Sequence, residues 1–231
     1  MAVLGDQFQL GLEATRQLAL FEPRYNIAPT QDVLVVREPE RGEREAAMVR
    51  WGLIPSWSKE VQGGAPMINA RGETVAEKPS FRTALRKRRC LIPADGFYEW
   101  QQTPGSATRG KKQPYYIHRR DGRPFAFAGL WESWTPKDAP AGERLTLESC
   151  TIVTTAANAT LAPLHDRMPV ILAETDYATW LDPTMQDPAV VTTLLGPCGD
   201  DELVAEPVST HVNRVANDDP QCIEVQRALF E

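Results

Sequence analysis

Short apolar runs rich in β-branched and aromatic residues recur along much of the chain, and this pattern predicts strands. It covers DVLVVRE (32–38), MVRWGLIP (48–55), RCLIPADGFYEW (89–100), QPYYIHRR (113–120), PFAFAGLWESW (124–134), SCTIVTTAA (149–157) and MPVILA (168–173). Runs this short, bounded by Pro or Gly, predict a barrel or sandwich rather than alternating β-α units. A helical period appears in fewer places. GLEATRQLALF (11–21) carries good helix formers with an apolar stripe. KPSFRTALRKRR (78–89) sets Phe81 and Leu85 one turn apart, with Pro79 suited to a first helical turn. TDYATWLD (175–182) has Thr175 as N-cap and stops before Pro183, and AVVTTLLG (189–196) ends on Gly196. TPGSATRGKK (103–112) and KDAPAGE (137–143) predict exposed loops, too short to link domains. The expectation is one β-dominated domain over residues 1–231, with helices around it.

Composition narrows the function classes. Hydrophobic content of 42% and charged content of 24% fit a soluble globular protein with a sizeable core. A net charge of −6 rules out a generic polyanion binder, so any nucleic-acid site needs a local basic surface. Cys90, Cys150, Cys198 and Cys222 are far apart with no CxxC pair, which argues against a zinc knuckle and for free thiols in a reducing compartment. No run approaches the roughly 18 apolar residues of a membrane span. The expected location is the cytoplasm, and no cofactor or metal is expected.

Five stretches carry candidate chemistry. In MINARGET (67–74), Asn69, Arg71 and Glu73 alternate as on one face of an extended segment. Amide donors beside a guanidinium suit a phosphate or a sugar oxygen, although taken alone the segment reads as a polar loop closed by ion pairs. In ADGFYEW (94–100), Glu99 lies between two aromatics, a setting that raises a carboxyl pKa and suits acid–base work. Alone, it reads more readily as an outward glutamate on a half-buried strand. In LHDRMPVIL (164–172), His165 titrates nearest neutral pH and leads into a strand, whereas His118 and His211 read as structural or exposed. In RWGLIPSW (50–57), Trp51 reads as core and Trp57 as a stacking platform for an unpaired base. RYNIAPTQ (24–31) is the fifth. Arg82, Arg86, Lys87, Arg88 and Arg89 form the best local patch for phosphates.

The order RYNIAP, WGLIPSW, NARGET, ADGFYEW, HDRMP resembles the SOS-response-associated peptidase family, the abasic-site-processing proteins. The likeness runs from about Arg24 to VSTHVNRVANDDPQCIE near the C-terminus. It implies a single compact α+β domain with a β-barrel-like core flanked by short helices. It also implies a partner, single-stranded DNA carrying an abasic site, so that DNA-bound protein would lie with the nucleoid; a monomer is the default expectation. Family members cross-link to that DNA through a cysteine made N-terminal by loss of Met. Its amine attacks the sugar aldehyde and its thiol closes a thiazolidine. Release of N-terminal residues by the protein itself gave the peptidase name.

Carried over by motif, Asn69 resembles the asparagine that orients the nucleophile. Glu99 resembles the proton-shuttling glutamate, and His165 the histidine that opens or holds the deoxyribose. Arg71 and Arg167 resemble phosphate-binding arginines, and Asn26, Pro29 and Trp57 groove residues. Arg82 and Arg86 add charge from the basic run. The opening MAVLGDQFQL departs from the family's Met-Cys-Gly-Arg-Phe start. With Phe8 as the family aromatic, either Gly5 or, with a one-residue gap, Leu4 stands at the cysteine. Without that thiol an α-amine, unperturbed pKa about 8, still forms a hydrolysable imine but not a durable cross-link. The expectation is weak or absent cross-linking. A non-catalytic DNA-binding paralogue is the alternative. Cys90 or Cys150 acting with His165 is disfavoured by their apolar strand contexts.

Overall fold

A computed structural model describes residues 2–18, 22–40, 42–61, 65–101, 112–136 and 145–226. The loops expected at 103–112 and 137–143 lie outside the described residues, save Lys112. The fold is mixed α+β, mostly sheet. Strands β1 (Asp32–Glu40) and β2 (Glu43–Trp51) form a hairpin; β4 (Arg89–Ala94), β7 (Phe125–Trp134) and β8 (Leu147–Ala156) join them. The pairing order β7-β4-β1-β2-β8, with β7 also on β8, closes these five into a ring. Alternation sorts their side chains into two apolar clusters. Val35, Cys90, Ile92, Phe127, Cys150 and Ile152 form one; Val36, Leu91, Ala128, Leu130 and Val153 form the other. Gly129 is needed where the ring is tightest, since a Cβ there would lie 2.8 Å from Cys90 Sγ. Cys90 and Cys150 are fully buried, as their apolar contexts predict.

Helices α3 (Arg82–Lys87), α4 (Tyr177–Leu181) and α5 (Pro188–Thr192) bury Leu85, Trp180 and Val191 in the second cluster. A smaller sheet, β11-β6-β5, is built from β5 (Gly96–Gln101), β6 (Gln113–Arg119) and β11 (Leu203–Pro207). Its Ile117 and Leu203 pack on the first cluster.

Several elements differ from the pattern-based expectation. The apolar run 89–100 is two strands in two sheets, broken at Asp95. Gly96 makes the break possible: a Cβ there would overlap the Tyr116 ring and lie 2.6 Å from the Ile117 carbonyl oxygen. The run 48–55 is the end of β2 followed by irregular chain, and 168–173 is β9 (Arg167–Pro169) and β10 (Ile171–Leu172). Thr175 caps nothing, because a 3₁₀ turn (Glu174–Asp176) precedes α4. Asp187, not foreseen, caps α5 by accepting the Ala189 N–H. The 11–21 pattern yields α2 (Leu12–Leu18), and Ala2–Gln7 forms α1, which no pattern announced. No helix among the described residues is long and apolar enough to cross a membrane.

Candidate functional site

The site begins at the C-terminal end of β8, where two short strands flank it. Along one edge β3 (Asn69–Arg71) runs parallel to β8, pairing Asn69 with Ile152 and Arg71 with Thr154. Ala70 is fully buried in the second apolar cluster. Strand alternation then turns both Asn69 and Arg71 to the exposed side. Along the other edge, β9 pairs Arg167 with Ala156. The strand ends are tied across β8. Glu73 accepts two hydrogen bonds from Arg167, Nη1 to Oε1 at 2.5 Å and Nη2 to Oε2 at 2.9 Å, and Nη2 also donates to the Thr154 carbonyl at 2.8 Å. These bonds hold the Glu73 carboxyl below the usual carboxylate range, and the Arg71 charge adds to the effect. Glu73 stood out in the sequence only as part of an alternating face; its spacing two residues beyond Arg71 was the available signal.

Glu99 arrives from the smaller sheet, in the middle of β5 opposite Tyr115. Burial pushes its carboxyl pKa up, and the nearby His165 charge is the largest opposing influence; Lys112 pulls down and Asp166 pushes up. His165 and Asp166 sit in the turn leading to β9. The His165 ring is oriented locally: Nδ1 accepts the Arg167 N–H at 2.9 Å and lies 3.1 Å from Asp166 Oδ1. Glu99, His165, Asp166, Arg167, Glu73 and Arg71 form one electrostatically linked group drawn from three strands. A half-buried carboxyl with a raised pKa near an imidazole is suited to acid–base work. The arginines beside it suit an anionic ligand.

The other expected residues fall elsewhere. Pro29 lies exposed in a turn whose next residue, Thr30, has φ 75°, rare for a β-branched residue. Thr30 N–H donates to the Trp51 carbonyl at 2.7 Å and fixes that turn to the end of β2. Trp57 follows in a turn closed by Ser58 N–H to Pro55 O, its ring 58% exposed and thus open to stacking. Asn26 is not available to a ligand: it is buried, and Nδ2 donates to the carbonyls of Val212, Arg214 and Asn217. The basic run divides. Arg82 and Arg86 are exposed on α3, which packs on β4, β7 and α5. Arg88 is paired with Glu132 at 2.7 Å. Arg89 is buried and donates to the carbonyls of Leu85, Arg86, Trp180 and Asp182.

The N-terminal segment is anchored apart from these contacts. Phe8 is buried and stacks on Tyr177 with ring centroids 5.5 Å apart, and Gln7 Nε2 donates to the Pro124 carbonyl at 2.9 Å. A Cβ at Gly5 would lie 2.7 Å from Thr15, so no thiol fits there without movement of α2. Burial pushes the Cys90 thiol well up and the Cys150 thiol up to about 12, which makes both inert as nucleophiles.

The SOS response associated peptidase (SRAP) family model matches residues 2–215. The chain belongs to the SRAP family. Abasic site processing protein YoqW of Bacillus subtilis is 43% identical over 205 residues, covering 88% of this chain and 87% of YoqW. Abasic site processing protein HMCES of Xenopus tropicalis is 32% identical over 88% of this chain, which spans 66% of that longer protein. A crystal structure of a Bacteroides thetaiotaomicron protein superposes with TM-score 0.82 at 25% identity, covering 97% of this chain and 95% of that one. The SRAP fold thus accounts for the ring, the flanking helices and the smaller sheet together.

Proposed function

We propose that this SRAP protein recognises abasic sites in single-stranded DNA and processes them by acid–base chemistry centred on Glu99 and His165. The observation that carries the reading is the burial-raised Glu99 carboxyl within the field of His165, while Arg167, two residues on from His165, is tied to Glu73. An open abasic sugar presents an aldehyde between two phosphates. An amine attacking C1′ forms the C–N bond as the carbonyl electrons move to oxygen. That oxygen takes one proton from the attacking nitrogen and a second from Glu99 and leaves as water, and the Glu99 carboxylate then removes the nitrogen's remaining proton, giving an imine. His165 offers Nε2–H to a sugar oxygen, and Asn69 lies on the Arg71 face to orient the attacking group. Arg71 and Arg167 take the flanking phosphates, while Trp57 and Pro29 meet the unpaired strand. Arg82 and Arg86 add a sequence-independent attraction for the backbone. A thiazolidine needs an amine and a thiol on adjacent carbons, and the 231-residue sequence has no cysteine before Cys90. An amine acting without such a thiol gives a reversible imine.

The test is incubation of the 231-residue chain with abasic and intact single-stranded oligonucleotides, with and without borohydride. The expected result is preference for the abasic strand and an adduct seen only with borohydride. A heat-stable adduct without reductant would overturn the imine. Equal affinity for both strands with no trapped adduct would instead favour a plain single-strand binder, the reading suggested by the buried thiols.

The Glu73–Arg167 pair sets an electrostatic threshold for phosphate. Glu73→Gln should raise affinity for intact single-stranded DNA and steepen the slope of log affinity against log salt by about 0.7, one further phosphate contact on a single strand. Fluorescence anisotropy over a salt series measures both. An unchanged slope would show that freeing Arg167 from Glu73 adds no phosphate contact.

A further inference from the structure

The C-terminal segment holds a cluster that the reading above leaves unused. We propose that His211, Asp219 and Cys222 form a binding site for a borderline-soft divalent cation such as Zn2+. Among the described residues this is the one group in which three His, Cys, Asp or Glu ligand atoms all lie within 4.8 Å of one another. His211 Nε2 is already 3.1 Å from Asp219 Oδ2. Asp219 precedes the 3₁₀ turn Pro220–Ile223 and Cys222 lies within it. Three residues per turn stack positions i and i+3 on one side, so this spacing directs the carboxylate and the thiol the same way. The two Asp219 oxygens have separate tasks, because Oδ1 caps the turn by accepting the Gln221 N–H at 2.9 Å while Oδ2 faces the imidazole.

Thiolate, imidazole and carboxylate together match the ligand chemistry of zinc. Cys222 is fully buried, and its thiol makes only a long 3.4 Å bond to the Asn217 carbonyl. Metal binding would release that thiol proton to solvent and leave a Zn–S bond. The His211 and Asp219 side chains are partly open, which leaves room for water as a fourth ligand. Zn–S of about 2.3 Å and Zn–N of about 2.0 Å set ligand atoms about 3.5 Å apart, so closure is a small side-chain movement. Coordination through Nε2 puts the ring proton on Nδ1. The Asn217 amide nitrogen, 3.1 Å from Nδ1 and 2.7 Å from the His211 carbonyl, then donates to that carbonyl alone. The segment is held in advance by the three Asn26 bonds and by Asp218, which accepts the Tyr25 and Asn26 N–H groups. Bound metal would thus brace the turn that grips RYNIAP.

The experiment uses the full chain stripped with a chelator and titrated with Co2+ and with Zn2+. The expected result is one equivalent bound, a thiolate-to-cobalt charge-transfer band, and a melting temperature that rises with Zn2+ through mass action. Cys222→Ser and His211→Ala should remove the band and weaken binding by more than the roughly 10–100-fold that loss of an outer-shell partner costs. Cys198→Ser should behave like the parent. Absence of both the band and the thermal shift in the parent chain would overturn the proposal, whatever the variants do. So would a Cys222→Ser chain, folded by circular dichroism, that keeps the band.

Discussion

Glu99→Gln should slow formation of the borohydride-trapped adduct by about 10²–10⁴-fold, the usual contribution of a positioned acid or base, while affinity for an intact strand stays within about twofold. Glutamine keeps the shape and hydrogen-bonding capacity of the site and loses only the transferable proton. The pH profile adds a second readout. Burial raises the Glu99 pKa, so the protonated acid persists to higher pH than an exposed glutamate allows. The adduct rate in the parent chain should fall as pH climbs through that raised value, and this limb should vanish in the variant. Stability should move the other way. A carboxyl whose folded pKa lies above its unfolded value contributes stability that is full below the unfolded value and lost as pH rises through the folded one. Above that raised value the ionised Glu99 is a cost, so at high pH the glutamine variant should melt no lower than the parent. A variant that loses activity and stability together would show Glu99 to be a packing element instead.

Arg89→Ala should cost about 3–5 kcal/mol, the range for breaking a buried, fully hydrogen-bonded charged group. Its guanidinium is 4% exposed, and burial pushes its pKa down to about 10. The four carbonyl acceptors it serves join the end of α3 to the end of α4. Removal leaves those oxygens unpaired and a cavity beside Trp180. Arg86→Ala, on the exposed side of the same helix, should stay within about 0.5 kcal/mol in stability and weaken DNA binding instead. Urea unfolding and oligonucleotide binding on both variants separate the two roles. Equal stability losses would mean that the division between buried and exposed arginines is wrong.

This division was not legible in the sequence, because adjacent arginines in ALRKRR look alike until the helix ends. Arg89 turns inward because it begins β4 beside the buried Cys90, whereas Arg82 and Arg86 lie one helical turn apart on the wet side. Glu99 was legible, since aromatic neighbours forecast its desolvation and HDRMP supplied a titratable partner. The break at Asp95–Gly96 was hidden because the apolar pattern continues across it, and only the crowding at Tyr116 reveals why glycine stands there. β11 escaped notice as a short edge strand ending in Pro207. Asn26 read as a ligand-facing polar residue because its three acceptors lie far away in the chain.

Strand β8 is bordered on each edge by two strands in succession, β2 then β3 and β7 then β9. Its final residues therefore wait for partners from both earlier and later parts of the chain. Loop closure of that length is entropically costly before any contact rewards it, and such pairings form slowly. During synthesis Asn69 and Arg71 exist long before Ile152 and Thr154 emerge to seat them, and Arg167 follows later still. The hairpins β1–β2 and β5–β6 can form locally, but the end of the ring that carries Asn69, Arg71 and Arg167 is among the last parts to assemble. A growing chain would therefore not bring those side chains together before most of the ring has emerged.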